Sequence, residues 1–216
     1  MTAGKIIAAA ASAALLLTGC SLKGEEEEEK NTFDSAQAFA EDFDGVTAAG
    51  SGPQLSISST SGKAGDTVKV TISVQGMEKN WETCGLHIVY PDVLKCIYSD
   101  EEQKHLEFTT GSACETAAAV IAREWTENLP EELLDDDLGA LFFTAVMDDE
   151  SGTNGDIATF SFHIPENADA GTVYDINFYY FSSLYSGDTF VDADNDRTAE
   201  KYAFEHWQGG TVTVEE

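Results

Sequence analysis

Basic residues are scarce in this chain. Lys and Arg number 11 against 40 Asp and Glu, for a formal net charge of −29. Such a chain is repelled by phosphate backbones, which argues against nucleic acid as a partner. Anionic lipid headgroups repel it in the same way, so the folded part stands off from a bilayer. Cysteine is rare too, with 4 residues, and no Cys-x-x-Cys or Cys/His pair has zinc-ligand spacing. The histidines, His87, His105, His163 and His206, are scattered, without a His-Glu-x-x-His. A Gly-x-Ser-x-Gly elbow and a phosphate-binding loop are also missing. So many acidic residues guarantee chance proximity between carboxylates, and no glycosidase pair is assigned from them. The chain is therefore read as a non-enzyme, with no cofactor and no metal assigned.

The apolar fraction of 42% excludes wholesale disorder. Glycine is plentiful, and β-branched and aromatic residues cluster, which favours strands and turns. The one long apolar run, Ile6 to Leu17, follows Lys5 and is too short to span a bilayer core of roughly 30 Å. A basic start, a short apolar stretch and a small residue before the cut are the parts of a secretory signal. The ending Leu17-Thr18-Gly19-Cys20 resembles the lipobox of bacterial lipoproteins. That resemblance implies removal of residues 1–19 and a diacylglyceryl group on Cys20. It places the protein outside the cytoplasm at the cell surface, membrane-bound through its N-terminal lipid only.

Residues 20–52 read as an acidic tether. Glu25–Glu29 are five like charges that extend the chain, and Ala48-Ala49-Gly50-Ser51-Gly52 is flexible. Between them Phe33, Ala36, Ala40 and Phe43 recur at helical spacing. Residues 53–216 form one domain. If Cys20 carries lipid, Cys84, Cys96 and Cys114 remain, and an odd number permits at most one internal disulfide. Small buried apolar residues are the favoured reading over a disulfide.

Within the domain the hydrophobic period is two. Val68, Val70, Ile72 and Val74 alternate with polar residues, and Cys84, Leu86, Ile88 and Tyr90 share one face of the next strand. Leu94, Cys96 and Tyr98 resume the alternation, and weaker strands are expected near 106–109 and 117–123. Asn128–Asp137 reads as an acidic helical turn. Ala140–Met147 is apolar on both faces, as in a central strand, and Ala158, Phe160, Phe162 and Ile164 make an inward face. Thr172–Phe181 reads as a long aromatic strand and Thr211–Val214 as a short last one. The count is about nine strands joined by turns with no βαβ rhythm, which is the signature of an all-β antiparallel sandwich.

Four stretches in this order resemble a cohesin domain. They are Leu55-Ser56-Ile57 with Gly62–Val68; Cys84–Leu94; Leu141–Met147 with Glu150-Ser151-Gly152 and Ile157–Phe162; and Gly209–Val214. The likeness spans Gln54 to Val214. It departs at Tyr90, followed directly by Pro91, and in the longer or more acidic regions 99–137 and 188–201. The resemblance implies the jelly-roll form of the sandwich and a binding role, the capture of a dockerin-bearing polysaccharide-degrading enzyme or scaffold protein on one face of the sandwich. Carried over residue by residue, that face holds Thr83, Gly85 and His87, then Thr144, Val146 and Asp148.

Two other features invite function. Asp192-Ala193-Asp194-Asn195-Asp196 opens like an EF-hand, but Arg197 stands where glycine is required and Ala203 where glutamate is. A looser calcium site or a plain acidic tip in the 188–196 loop remain as alternatives. Trp81, Trp125 and Trp207 are candidates to stack on sugars, which would make the domain a carbohydrate-binding module contacting polysaccharide. Core or rim packing is their more ordinary role.

Overall fold

The computed structural model describes residues 36–134, 137–184, 187–192 and 197–216. Helix α1 (Ala36–Asp42) precedes β1 (Gln54–Ile57), β2 (Thr60–Gly62), β3 (Thr67–Gln75) and β4 (Trp81–Pro91). Short strands β5 (Lys95–Cys96), β6 (Tyr98–Asp100), β7 (His105–Leu106) and β8 (Phe108–Thr110) follow. Then come β9 (Ala117–Glu124), α2 (Glu131–Leu134), β10 (Leu138–Met147) and β11 (Gly155–His163). The chain closes with β12 (Val173–Phe178), β13 (Thr189–Asp192), α3 (Thr198–Glu205) and β14 (Gly210–Val214).

The strands form two sheets, as the alternation requires. One runs β1-β3-β11-β5, with β8 also on β11; the other runs β2-β14-β12-β4-β10-β9-β7-β6, with β13 also on β4. Among the described strands pairing is antiparallel except between β14 and β2, and an isolated parallel bridge joins Ser56 to Gln208. Five of the segments are only two or three residues long, and the longer ones match the expected all-β sandwich.

The core lies between the sheets and is built from the period-two residues. Val68, Val70, Ile72 and Val74 of β3 and Ala158, Phe160 and Phe162 of β11 come from one side. Cys84, Leu86, Ile88 and Tyr90 of β4 and Leu141, Phe143, Ala145 and Met147 of β10 come from the other. Burying a side chain such as Phe143 contributes roughly 1.5–3 kcal/mol, so these four strands dominate the stabilisation. β10 is central, flanked by β4 and β9, in keeping with its two apolar faces. One of those faces meets a second apolar cluster outside the sandwich: Val89, Trp125, Leu129, Ala140 and Tyr179, with Phe142 and Phe181 packed against it.

Three segments differ from expectation. The strand expected over Thr172–Phe181 ends at Phe178. Its side chains still alternate, with Phe178 and Tyr180 in the main core and Tyr179 and Phe181 on the outer cluster. Tyr179 N–H still donates to the His87 carbonyl at 3.0 Å, in register with the β12–β4 pairing, and the backbone has left the ladder by Phe181, whose N–H is taken by a side chain. Helix α3 was not foreseen; it buries Glu200, Ala203 and Phe204. Within the tether segment, α1 forms near the anticipated periodicity but turns a different face inward. Phe39 and Phe43 pack on Tyr180 with ring centroids 5.4 and 5.7 Å away, while Ala40 is exposed. The acidic turn near 128–137 is present as a 3-10 turn over Thr126–Asn128 followed by α2.

Candidate functional site

Five of the six residues predicted to face a partner, Thr83, Gly85, His87, Thr144 and Val146, lie on the outer side of the larger sheet. In the β4–β10 ladder Thr83 stands across from Val146 and Gly85 across from Thr144, while His87 pairs with Phe142. Asp148 follows the end of β10 and is exposed. The strands on either side extend these rows. Val191 of β13 pairs with Thr83 and Thr189 with Gly85. Ala119 of β9 pairs with Val146, Ile121 with Thr144 and Arg123 with Phe142.

The face is divided. Toward Thr83 and Gly85 it is open: Val146 is 40% exposed and Ile121 46%. Toward His87 it is covered. His87 is only 1% exposed, stacked on Phe142 at 4.6 Å between centroids and edge-on to Trp125 at 4.2 Å and Phe181 at 5.3 Å. His87 shares the predicted face but presents no surface on it. Gly85 is also buried. It serves as floor, because a Cβ there would meet the Gly187 carbonyl at 3.2 Å.

Asp188 pins this covered half. Its Oδ1 accepts the His87 backbone N–H at 2.8 Å and lies 2.9 Å from His87 Nδ1; its Oδ2 accepts Phe181 N–H at 2.8 Å. Burial pushes the Asp188 carboxyl up from its ordinary value, against the lowering pull of His87. His87 Nε2 has no hydrogen-bond partner among the described residues. A carboxylate that satisfies two backbone donors from separate elements holds those elements in register.

Between the open rows and the two helices at the β13 end lies an open hollow of about 520 Å³. Gly85, Thr144, Thr189 and Val191 line its sheet side, and Asp42, Tyr180, Ser182, Arg197 and Glu200 the other. Leu184 stands at its rim, 95% exposed. Sequence reasoning named the β4 and β10 residues and missed Ile121, Val191 and the α1–α3 wall. The alternation in Ala117–Arg123 is blurred by four alanines, and the wall joins segments far apart in sequence.

The other candidates resolve as follows. Trp81, Trp125 and Trp207 are all buried, so none offers a ring face to a sugar. Cys84, Cys96 and Cys114 are buried free thiols. Of the possible calcium loop, residues 193–196 lie outside the described residues. Among the described residues no cluster of three or more His, Cys, Asp or Glu is arranged to hold a metal ion. Cys20, the signal-like run and Glu25–Glu29 also lie outside the described residues. No described helix is long and apolar enough to cross a membrane.

A family model described as the cohesin domain matches residues 53–198. Among solved structures, the chain is similar to a type III cohesin module from the cell-surface anchoring scaffoldin ScaE of Ruminococcus flavefaciens. The identity is 21% and the TM-score 0.63, covering 86% of this chain and 94% of that one. It is also similar to the sixth cohesin of Acetivibrio cellulolyticus scaffoldin B, solved in complex with a mutant Cel5 dockerin. There the identity is 19% and the TM-score 0.53, covering 76% and 99% respectively. At these identities the likeness shows the shared fold. No curated protein sequence matches the chain.

Proposed function

Because this chain belongs to the cohesin family, we propose that it is a lipid-anchored docking module that holds a dockerin-bearing polysaccharide-degrading enzyme or scaffold protein at the cell surface. The observation that carries this is the open half of the outer sheet face. It is a four-strand patch in which Val146 and Ile121 are exposed side by side with Thr83, Thr144 and Val191. A sheet face with an apolar centre and a polar rim suits a partner helix laid across it. Thr83, Thr144, Val146 and Asp148 touch the partner directly; Gly85 lets it approach, and His87 supports the face from beneath. The solved complex of the similar Acetivibrio cellulolyticus cohesin with a dockerin supports the choice of partner.

The mooring is assigned to Cys20, with residues 21–35 as the acidic lead into the fold. The net charge of −29 keeps the domain clear of anionic headgroups, so the lipid is the only membrane contact. Calorimetric titration against a panel of purified dockerins tests the docking role. Saturable binding by one class supports it. Silence across the panel together with retention on cellulose or xylan would replace it with direct polysaccharide binding. Cys20→Ala tests the mooring: the variant is expected in the medium, and continued fractionation with membranes would refute the anchor.

A further inference from the structure

Helix α1 lies before the residues that match the family model, yet it is built into the sandwich beside the open face. Its attachment centres on Arg197. Nη1 of Arg197 donates to the Asp42 carbonyl at 3.1 Å and Nε to Glu200 Oε1 at 3.0 Å, while Nη2 reaches both carboxylates. The guanidinium also stacks over the Phe43 ring, 4.7 Å from its centroid. Glu200 is fixed in turn, because its Oε2 accepts the Thr189 hydroxyl and Phe190 N–H, each at 2.9 Å. Arg197 therefore links α1 to α3 and, through Glu200, to β13. Lys201 Nζ adds a bond to the Val46 carbonyl at 2.6 Å.

This arrangement brings Asp42 to the wall of the hollow that opens onto Gly85 and Thr144. Its Oδ2 is engaged by the Tyr180 hydroxyl and Arg197, whereas Oδ1 accepts the Ser182 hydroxyl, at 3.0 Å. A carboxylate oxygen accepts more than one hydrogen bond, so the Ser182 hydroxyl does not exhaust Oδ1. Of the three carboxylates on the lining, Asp188 and Glu200 are buried and engaged within the fold, which leaves Asp42, with its side chain 26% exposed, to face the hollow. The whole chain is acidic to the same sense. Charge complementarity thus selects a basic group from whatever settles on the neighbouring rows. A Lys or Arg stem can lie along Thr144 and Val191 while its head reaches Asp42.

We propose that α1 is part of the docking surface: Asp42 meets a cationic side chain of the docked partner, and Arg197 is the residue that positions Asp42 there. This rests on the docking role proposed above and names the partner's chemistry at one corner of that site. It also extends the functional unit to the N-terminal side of the family-matched domain.

The test uses the full chain without its signal, titrated with the dockerin that binds it most tightly, across a series of salt concentrations. Asp42→Ala and Arg197→Gln are each expected to weaken binding about tenfold, the size of one lost charge-assisted contact. Asp42→Ala is also expected to flatten the salt dependence, which a merely structural defect would leave unchanged. Lys63→Gln, in the turn before β3, should alter neither quantity. Amide exchange supplies the second readout: Arg197→Gln should speed exchange in α1 while β4 and β10 keep their protection. Faster exchange in α1 with unchanged affinity and salt slope would overturn the proposal and leave the docking role standing. A wild-type chain that binds no dockerin would overturn both.

Discussion

Thr144 stands directly across from Gly85, and its hydroxyl donates to the Cys84 carbonyl at 3.0 Å. The polar end of Thr144 is therefore spent within the sheet, and its methyl group remains for the outer surface. With glycine opposite and Ile121 on the other side, the row is smooth and apolar although two of its members are polar or featureless in sequence. Val146 and Thr83 form the next row. An interface needs such a desolvated centre more than it needs total area.

Placing a charge at that centre should abolish docking without unfolding the domain. Val146→Asp and Ile121→Asp replace residues that are 40% and 46% exposed. Each is expected to change folding stability by only about 0.5 kcal/mol, as for exposed positions in general. Each should weaken partner binding by about 2 kcal/mol or more, the loss typical of a central anchor. Urea unfolding and calorimetric titration on the same samples check the two halves.

Asp188 is expected to matter for folding rather than for contact. Asp188→Ala would leave the buried N–H groups of His87 and Phe181 and the His87 ring without their shared acceptor. Stranding buried donors of this kind costs about 2–5 kcal/mol in total. A fall in the urea midpoint with an unchanged m value would confirm it. A midpoint within error of wild type would show that the covered half of the face does not depend on the aspartate.

Acid stability should report two carboxylates acting with opposite signs. Burial alone would raise Asp42, but hydrogen bonds from Tyr180, Arg197 and Ser182 outweigh it and hold the carboxyl below its ordinary 3.8. Stability from those bonds is fully present above 3.8 and is lost as the pH falls through the lower folded value. Asp188 is raised by burial, so its contribution is fully present below 3.8 and fades as the pH rises through the folded value. Asp42→Asn should therefore flatten the loss of stability on acidification, whereas Asp188→Asn should steepen it. Thermal melts across the acid range separate the two.

The three domain thiols should be silent in the native state. Burial raises the Cys84 thiol well above its ordinary value and pushes Cys96 and Cys114 up to about 12. Thiolate is the reactive form, so a thiol reagent should label none of them until denaturant is added, and then all three. Prompt labelling of any one would place it outside the packed core described here.

The sandwich was legible because its long strands obey a strict alternation. Val68 to Val74, Cys84 to Tyr90 and Ala158 to Ile164 each turn the expected residues inward. The same alternation located Thr83, Gly85, Thr144 and Val146 on one face, since a period of two leaves them no other side. It could not reveal that His87 lies under Phe181 and Trp125, because that cover comes from segments distant in sequence. Helix α3 escaped notice because one of its inward residues is Glu200, a charge buried only because Arg197, Thr189 and Phe190 N–H meet it. The face of α1 was misplaced for a similar reason. Ala40 and Phe43 share helical spacing, but the partner ring, Tyr180, selects Phe39 and Phe43 instead.

Titration of the signal-free chain with a panel of dockerins, repeated with Val146→Asp, tests the central claim most directly. Saturable binding to one dockerin class that the substitution removes, with the melting temperature unchanged, is the predicted result. Binding that survives Val146→Asp at full strength, or retention on polysaccharide with no dockerin bound, would contradict it.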